Sequence, residues 1–240
     1  MMLPENKKVT RDPSSQIKLW IYGEPTIGKT IFANKFPDAV FLNTDGNIKY
    51  IDSPVVTITP SKTEDPWEVF IKVVNELTTT QHTYKTVVVD LLEDIYQYCR
   101  VYYAKKLNID HEADLGYGKG YDIIRNAFLI VLRTLLSSNL NVLLISHEKV
   151  VTIKDRIGRE LTRFQPALPE SVAGKVSGMV DITGRVTIKT DEVDGKVIDA
   201  RILYLDATKE QVGGNRIPSI KEEYIPLEYT ELLKVYKRKE

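Results

Sequence analysis

Gly23, Gly28, Lys29 and Thr30 stand at the offsets of the pattern G-x-x-x-x-G-K-[ST]. Each residue type has a task there. The glycines let the backbone curl with its N–H groups turned inward around phosphate oxygens, and a following helix points its positive end at the same anion. The lysine reaches the β- and γ-phosphates, and the hydroxyl after it ligates Mg²⁺. The expected cradle comprises Gly23, Glu24, Pro25, Thr26, Ile27, Gly28, Lys29 and Thr30, with Ile31 behind it. ATP and Mg²⁺ are the cofactors this chemistry calls for.

A second candidate is Asp90, which closes the run Thr86-Val87-Val88-Val89-Asp90. This has the Walker-B form, in which a buried strand delivers a carboxylate to the edge where Mg²⁺ and its waters sit. Asp90 is read as holding the metal through water. The plainer reading is a buried strand that happens to end in an acid.

Such groups need a scaffold. Ile17 to Tyr22 reads as a buried strand leading into the loop, and Ile31 to Phe36 as a short helix stopped by Pro37. Further strands are expected at Ala39–Gly46, Val55–Ile58 and Asn141–His147, and helices from Pro66, over Leu91–Leu107 and over Tyr121–Ser138. Leu115-Gly116-Tyr117-Gly118-Lys119-Gly120-Tyr121 reads as a mobile loop. Its tyrosines would stack on bases and Lys119 would meet a phosphate, or the segment is a plain connector. Val150 to Leu168 alternates around Ile157-Gly158 and reads as a hairpin carrying Lys154, Arg156, Arg159 and Arg163. A second hairpin spans 182–206 across Asp194-Gly195, followed by a glycine-rich turn, Gln211 to Arg216.

The chain of 240 residues suits one α/β domain. Its expected divisions are a flexible arm at 1–16, a core at 17–222 and a C-terminal tail at 223–240. A formal net charge of +0 argues against coating nucleic acid by charge alone, while allowing a local basic loop. The one cysteine, Cys99, is expected to be a buried structural thiol, which fits a reducing cytosol. With no apolar run of about 18 residues and no signal-peptide pattern, the expectation is a soluble, unexported protein with no membrane partner. No cysteine or acid accompanies the three histidines in a zinc pattern.

Together, GEPTIGKT, FLNTDG, TVVVD, the GYGKGY loop and LLISHE with its basic hairpin resemble the RecA-like ATPase core from about Ile17 to Arg216. The likeness is to the phage-encoded ATPases of the single-strand-annealing recombinase group, which are nucleotide-binding proteins. It implies a mostly parallel sheet flanked by helices, with antiparallel hairpins added toward the C-terminus. Asp90 is followed by Leu91, so the adjacent Asp-Glu pair of many AAA+ ATPases is missing. The resemblance instead places the water-activating base at Asp45, where RecA itself has Glu. Asp45 as a turn cap, with Glu93 as base, is the alternative. His147 falls at the family's γ-phosphate sensor, and the hairpin at its DNA-contacting loop, with Phe164 as a stacking face. From Glu148 to Phe164 five bases face three acids, a modest surplus. Arg216 resembles the finger that such subunits insert into a neighbour's ATP site, with Lys209 and Arg185 as rivals.

The resulting expectation is a slow, Mg²⁺-dependent ATPase stimulated by DNA. It would assemble into a ring or filament in the host cytoplasm, bind single-stranded DNA and promote annealing or strand exchange, with a single-strand-binding protein as a further partner. Two rivals are a nucleotide kinase, which needs an arginine-rich lid where GYGKGY offers one lysine, and a non-catalytic, nucleotide-gated partner of a replication or packaging protein.

Overall fold

The computed structural model describes residues 16–154, 156–193 and 196–237. The expected N-terminal arm up to residue 15, Asp155, the Asp194-Gly195 turn and the basic end at Arg238-Lys239 lie outside them.

A ten-stranded sheet organises the molecule. Its strands are β1 (Lys18–Gly23), β2 (Ala39–Asn43), β3 (Val55–Thr57), β4 (Thr86–Asp90), β5 (Asn141–Lys154), β6 (Glu160–Pro166), β7 (Ile182–Val193), β8 (Lys196–Tyr204), β9 (Gly214–Asn215) and β10 (Tyr224–Pro226). The order is β10-β8-β7-β1-β5-β4-β2-β3, with β6 paired to β5 and β9 to β7. From β7 through β1, β5, β4 and β2 to β3 every pairing is parallel. One strand, β5, separates the phosphate-loop strand from the Asp90 strand. This is the RecA-like P-loop core expected above, with antiparallel hairpins β5–β6 and β7–β8 added.

Strands buried on both faces read as unbroken apolar runs, with side chains alternating between two cores. Trp20, Val87, Val89, Val142 and Leu144 face one core, shared with α2 (Pro66–Thr79), α3 (Leu92–Leu107), α4 (Lys119–Leu136) and α5 (Glu170–Ser177). Leu19, Ile21, Val88, Leu143 and Ile145 face the other, covered by α1 (Lys29–Ala33) and α6 (Tyr229–Tyr236). Cys99 is buried, and burial pushes its thiol pKa up, as a structural cysteine requires. Among the described residues no helix is long and apolar enough to cross a membrane.

Three expectations are corrected. The mobile loop is partly helical: a 3₁₀ turn spans Glu112–Leu115, and Lys119, Gly120 and Tyr121 already form the first turn of α4. Gly120 packs so tightly on the Glu112 backbone that a Cβ would stand 2.2 Å from its carbonyl oxygen. Only Gly116-Tyr117-Gly118 remains as a turn, with Tyr117 fully exposed. The segment set apart as a tail belongs to the core, for β10 extends the sheet along β8 and α6 buries Leu232, Val235 and Tyr236. The helix after the phosphate loop is shorter than read, ending at Ala33.

Candidate functional site

Parallel strands bring their carboxyl ends to one edge, the usual place for a ligand in an open α/β sheet. The register sets Gly23 beside His147, Ile145 beside Asp90, and Asp90 beside Asn43. Residues far apart in sequence therefore share one short stretch of edge.

The loop at the end of β1 adopts backbone conformations its residues were chosen for. Gly28 sits at φ 105°, open mainly to glycine, and Thr26 holds a left-handed φ of 65°. At Gly23 a Cβ would lie 2.4 Å from the Val186 carbonyl oxygen, so no side chain fits. Lys29 is buried, and its Nζ donates to the carbonyls of Gly23 (2.8 Å) and Glu24 (2.7 Å). Burial pulls its pKa down, opposed by the charges of Asp90, Glu93, Glu148 and Asp45. The ammonium is held by the loop's own carbonyls, at the position the phosphate-loop pattern assigns to the lysine that meets the β- and γ-phosphates.

Thr30 Oγ1 donates to Asp90 Oδ2 at 2.8 Å. Burial pushes the Asp90 carboxyl up to about 6, with the Thr30 hydrogen bond and Lys29 opposing and Asp45 and Glu93 adding to the rise. A buried carboxylate in contact with a hydroxyl is a hard-oxygen donor set suited to Mg²⁺, which takes one or two protein ligands and completes its shell with phosphates and water. Among the described residues no three His, Cys, Asp or Glu side chains gather as a metal-binding group. The residues present fit a nucleotide-borne Mg²⁺.

Asp45 takes the capping position that the sequence left as an alternative. It is exposed, and its Oδ1 accepts from Asn43 Nδ2 and Asn47 N while Oδ2 accepts from Asn47 Nδ2 at 2.6 Å. Partial burial pushes its pKa up, but the bonds from Asn47 and Asn43 outweigh that and hold it below the usual value.

Glu93 lies in the first turn of α3. Its Oε1 accepts from the His147 backbone N–H at 2.8 Å and stands 3.1 Å from His147 Nδ1. That hydrogen bond raises the imidazole pKa, against partial burial. Beside it Arg185 grips Glu148 (Nε–Oε2 2.9 Å), with its guanidinium 3.5 Å over the Phe164 ring. Arg185 is thus engaged inside its own chain, and Phe164 already carries a cation on its face. Arg216 donates to the Gly178 carbonyl beside Asp181, at the sheet edge opposite the loop, and is no part of its own chain's cradle.

The unbroken β5 runs from the site into the basic hairpin. Lys154, Arg156, Arg159, Arg163 and Lys209 line a groove of about 470 Å³, with apolar Ile157 among them. Lys119 stands apart, starting α4 among α2, α3 and the 3₁₀ turn. A second cavity, about 550 Å³, flanks the loop between Gly28, Ile31, Ile188, Arg201, Leu227 and Glu228. Sequence reasoning missed Glu148 and Arg201. Glu148 was visible only as one acid in a hairpin, and Arg201 reaches Gly28 through the β7–β8 pairing, which leaves no local signature.

Fold and site define a P-loop nucleotide-binding protein of the ATPase class. A family model described as "AAA domain" matches residues 15–217, and the chain belongs to that AAA-domain family. No curated protein matches it. Among solved structures, the flagellar accessory protein FlaH from Methanocaldococcus jannaschii is 12% identical with a TM-score of 0.42, covering 89% of this chain and 87% of that one. The KaiC-like protein PH0186 from Pyrococcus horikoshii OT3 is 14% identical with a TM-score of 0.38, covering 87% and 93%. Likenesses at this level carry no residue roles across.

Proposed function

We propose that this chain hydrolyses MgATP and couples the cycle to binding single-stranded DNA at the β5–β6 hairpin, as an annealing or strand-exchange protein of phage recombination would. The observation that carries this reading is the continuity of β5. His147, at the nucleotide edge, and Lys154, at the basic groove, belong to one strand with no break between them. A shift at His147 has a rigid path to the groove.

Within the cradle, Lys29 supplies positive charge to the β- and γ-phosphates, and Thr30 with Asp90 orients the metal side. Bound Mg²⁺ neutralises charge developing on the phosphates. His147, held by Glu93, offers its remaining nitrogen to a γ-phosphate oxygen. The cavity beside Gly28 takes the nucleoside, with Ile31 and Leu227 as apolar walls and Arg201 as a polar one. Self-assembly into a ring or filament leaves Arg216 and Lys209 as the groups offered to a neighbouring ATP site.

The testing experiment is phosphate release from MgATP with and without single-stranded DNA. The reading expects slow basal turnover that rises with DNA. Basal turnover unchanged by DNA, together with no shift of labelled DNA in a gel, would remove the DNA role and leave nucleotide binding standing.

A further inference from the structure

Asp90, Glu93, Glu148 and Asp45 all act electrostatically on Lys29, and hydrogen-bond donors engage three of them. Asp90 is held by Thr30, Glu148 by Arg185, and Asp45 by Asn43 and Asn47. Glu93 differs. Its Oε1 is fixed by His147, but Oε2 is buried and, among the described residues, is the carboxylate oxygen buried without any donor. Leaving a buried acceptor unpaired costs about 1–3 kcal/mol, and more for a charged group, so its place in the fold calls for a donor from outside the chain.

We propose that Glu93 Oε2 holds the attacking water and takes its proton, with Asp45 serving as the cap of the Asn43–Asn47 turn. Glu93 projects from the first turn of α3 directly after the β4 edge, against His147, which the strand register sets beside Gly23 of the phosphate loop. In the step, water oxygen bonds to the γ-phosphorus as the bond to the β–γ bridging oxygen breaks. That oxygen leaves with the electron pair on ADP, and the water proton passes to Oε2, later returning to phosphate or solvent. His147 is a positioning residue here: its backbone N–H and Nδ1 hold Oε1 so that Oε2 cannot rotate away.

The inference rests on the ATPase reading, and the experiment separates the two. Parent, Glu93→Gln and Asp45→Asn are compared for MgATP binding by calorimetry and for single-turnover hydrolysis. Glu93→Gln is expected to bind within about threefold of parent yet hydrolyse about 10²-fold or more slowly, while Asp45→Asn loses less than about tenfold. In nucleotide-free protein, the His147 imidazole followed by NMR should titrate lower in Glu93→Gln than in parent. If Glu93→Gln does not fold, Glu93→Asp replaces it and should still lose about tenfold or more, because its carboxylate is withdrawn by one methylene. An active parent with Glu93→Gln within about threefold of it, or with Asp45→Asn losing as much as Glu93→Gln, overturns the assignment alone. A parent with no turnover removes the ATPase reading and the assignment with it.

Discussion

Thr30 and Asp90, sixty positions apart in sequence, meet through a hydrogen bond of 2.8 Å at the sheet's carboxyl edge. One group comes from the phosphate loop and the other from the strand two places away in the sheet, so the contact measures whether the core has closed correctly. Asp90→Asn keeps the shape and removes the charge. We expect it to weaken Mg²⁺-dependent nucleotide binding by about 10- to 100-fold, while metal-free binding changes little. Calorimetry with and without EDTA makes the comparison.

Removing Lys29 has two consequences. Lys29→Ala takes away the main positive charge for the phosphates and should slow turnover by about 10²-fold or more. It also leaves Asp90 and Glu93 without their buried counter-charge, so its melting temperature should fall, and should recover partly on acidification as carboxylates protonate. Differential scanning calorimetry at about pH 5 and about pH 7, either side of the Asp90 carboxyl's value of about 6, reads this.

His147 gives a pH dependence of fixed sign. Its pKa is raised in the fold by the Glu93 hydrogen bond, so the stability it contributes is fully present below the ordinary histidine value of about 6.5 and is lost as pH rises through the higher folded value. His147→Asn should flatten that part of the profile. Urea unfolding of parent and variant across this window checks it, and a parent profile that rises with pH there would contradict the assigned pair.

Arg185→Ala should destabilise the fold by roughly 3 kcal/mol, since Glu148 is buried and would lose its partner. Arg216→Ala, whose side chain is exposed at the far edge, should leave stability nearly unchanged. Chemical denaturation of the two variants separates an internal strut from an exposed arginine.

At the hairpin, Lys154, Arg156 and Arg163 changed together to Ala should lower single-stranded DNA affinity and reduce the log–log salt slope by about 2, near 0.7 for each lost phosphate contact. Anisotropy titrations at several salt concentrations measure this. Lys119→Ala, at the start of α4, should leave the slope unchanged.

The sequence was most legible where one residue type can do one thing. The run Thr86–Asp90 is β4 to the residue, because a strand buried on both faces must be apolar throughout. The phosphate loop was equally plain, since its glycines answer backbone demands. Less legible were elements made by tertiary contact. Gly120 looks like a helix breaker until the Glu112 backbone packs where its side chain would be. β10 is three residues long, too short to show a period, and exists by pairing with β8. Glu93 is an ordinary acid on a helix until β5 brings His147, 54 positions later, against it.

The central claim is that Gly23 through Thr30, closed by Asp90, form a MgATP cradle. Titrating MgATP into the parent and into Lys29→Ala by calorimetry tests it most directly. The account predicts saturable binding by the parent, with a Kd on the order of micromolar to tens of micromolar, and loss of about 10²-fold or more in the variant. A parent that releases no heat at any MgATP concentration and shows no shift in melting temperature, or a variant that binds as tightly as the parent, would contradict it.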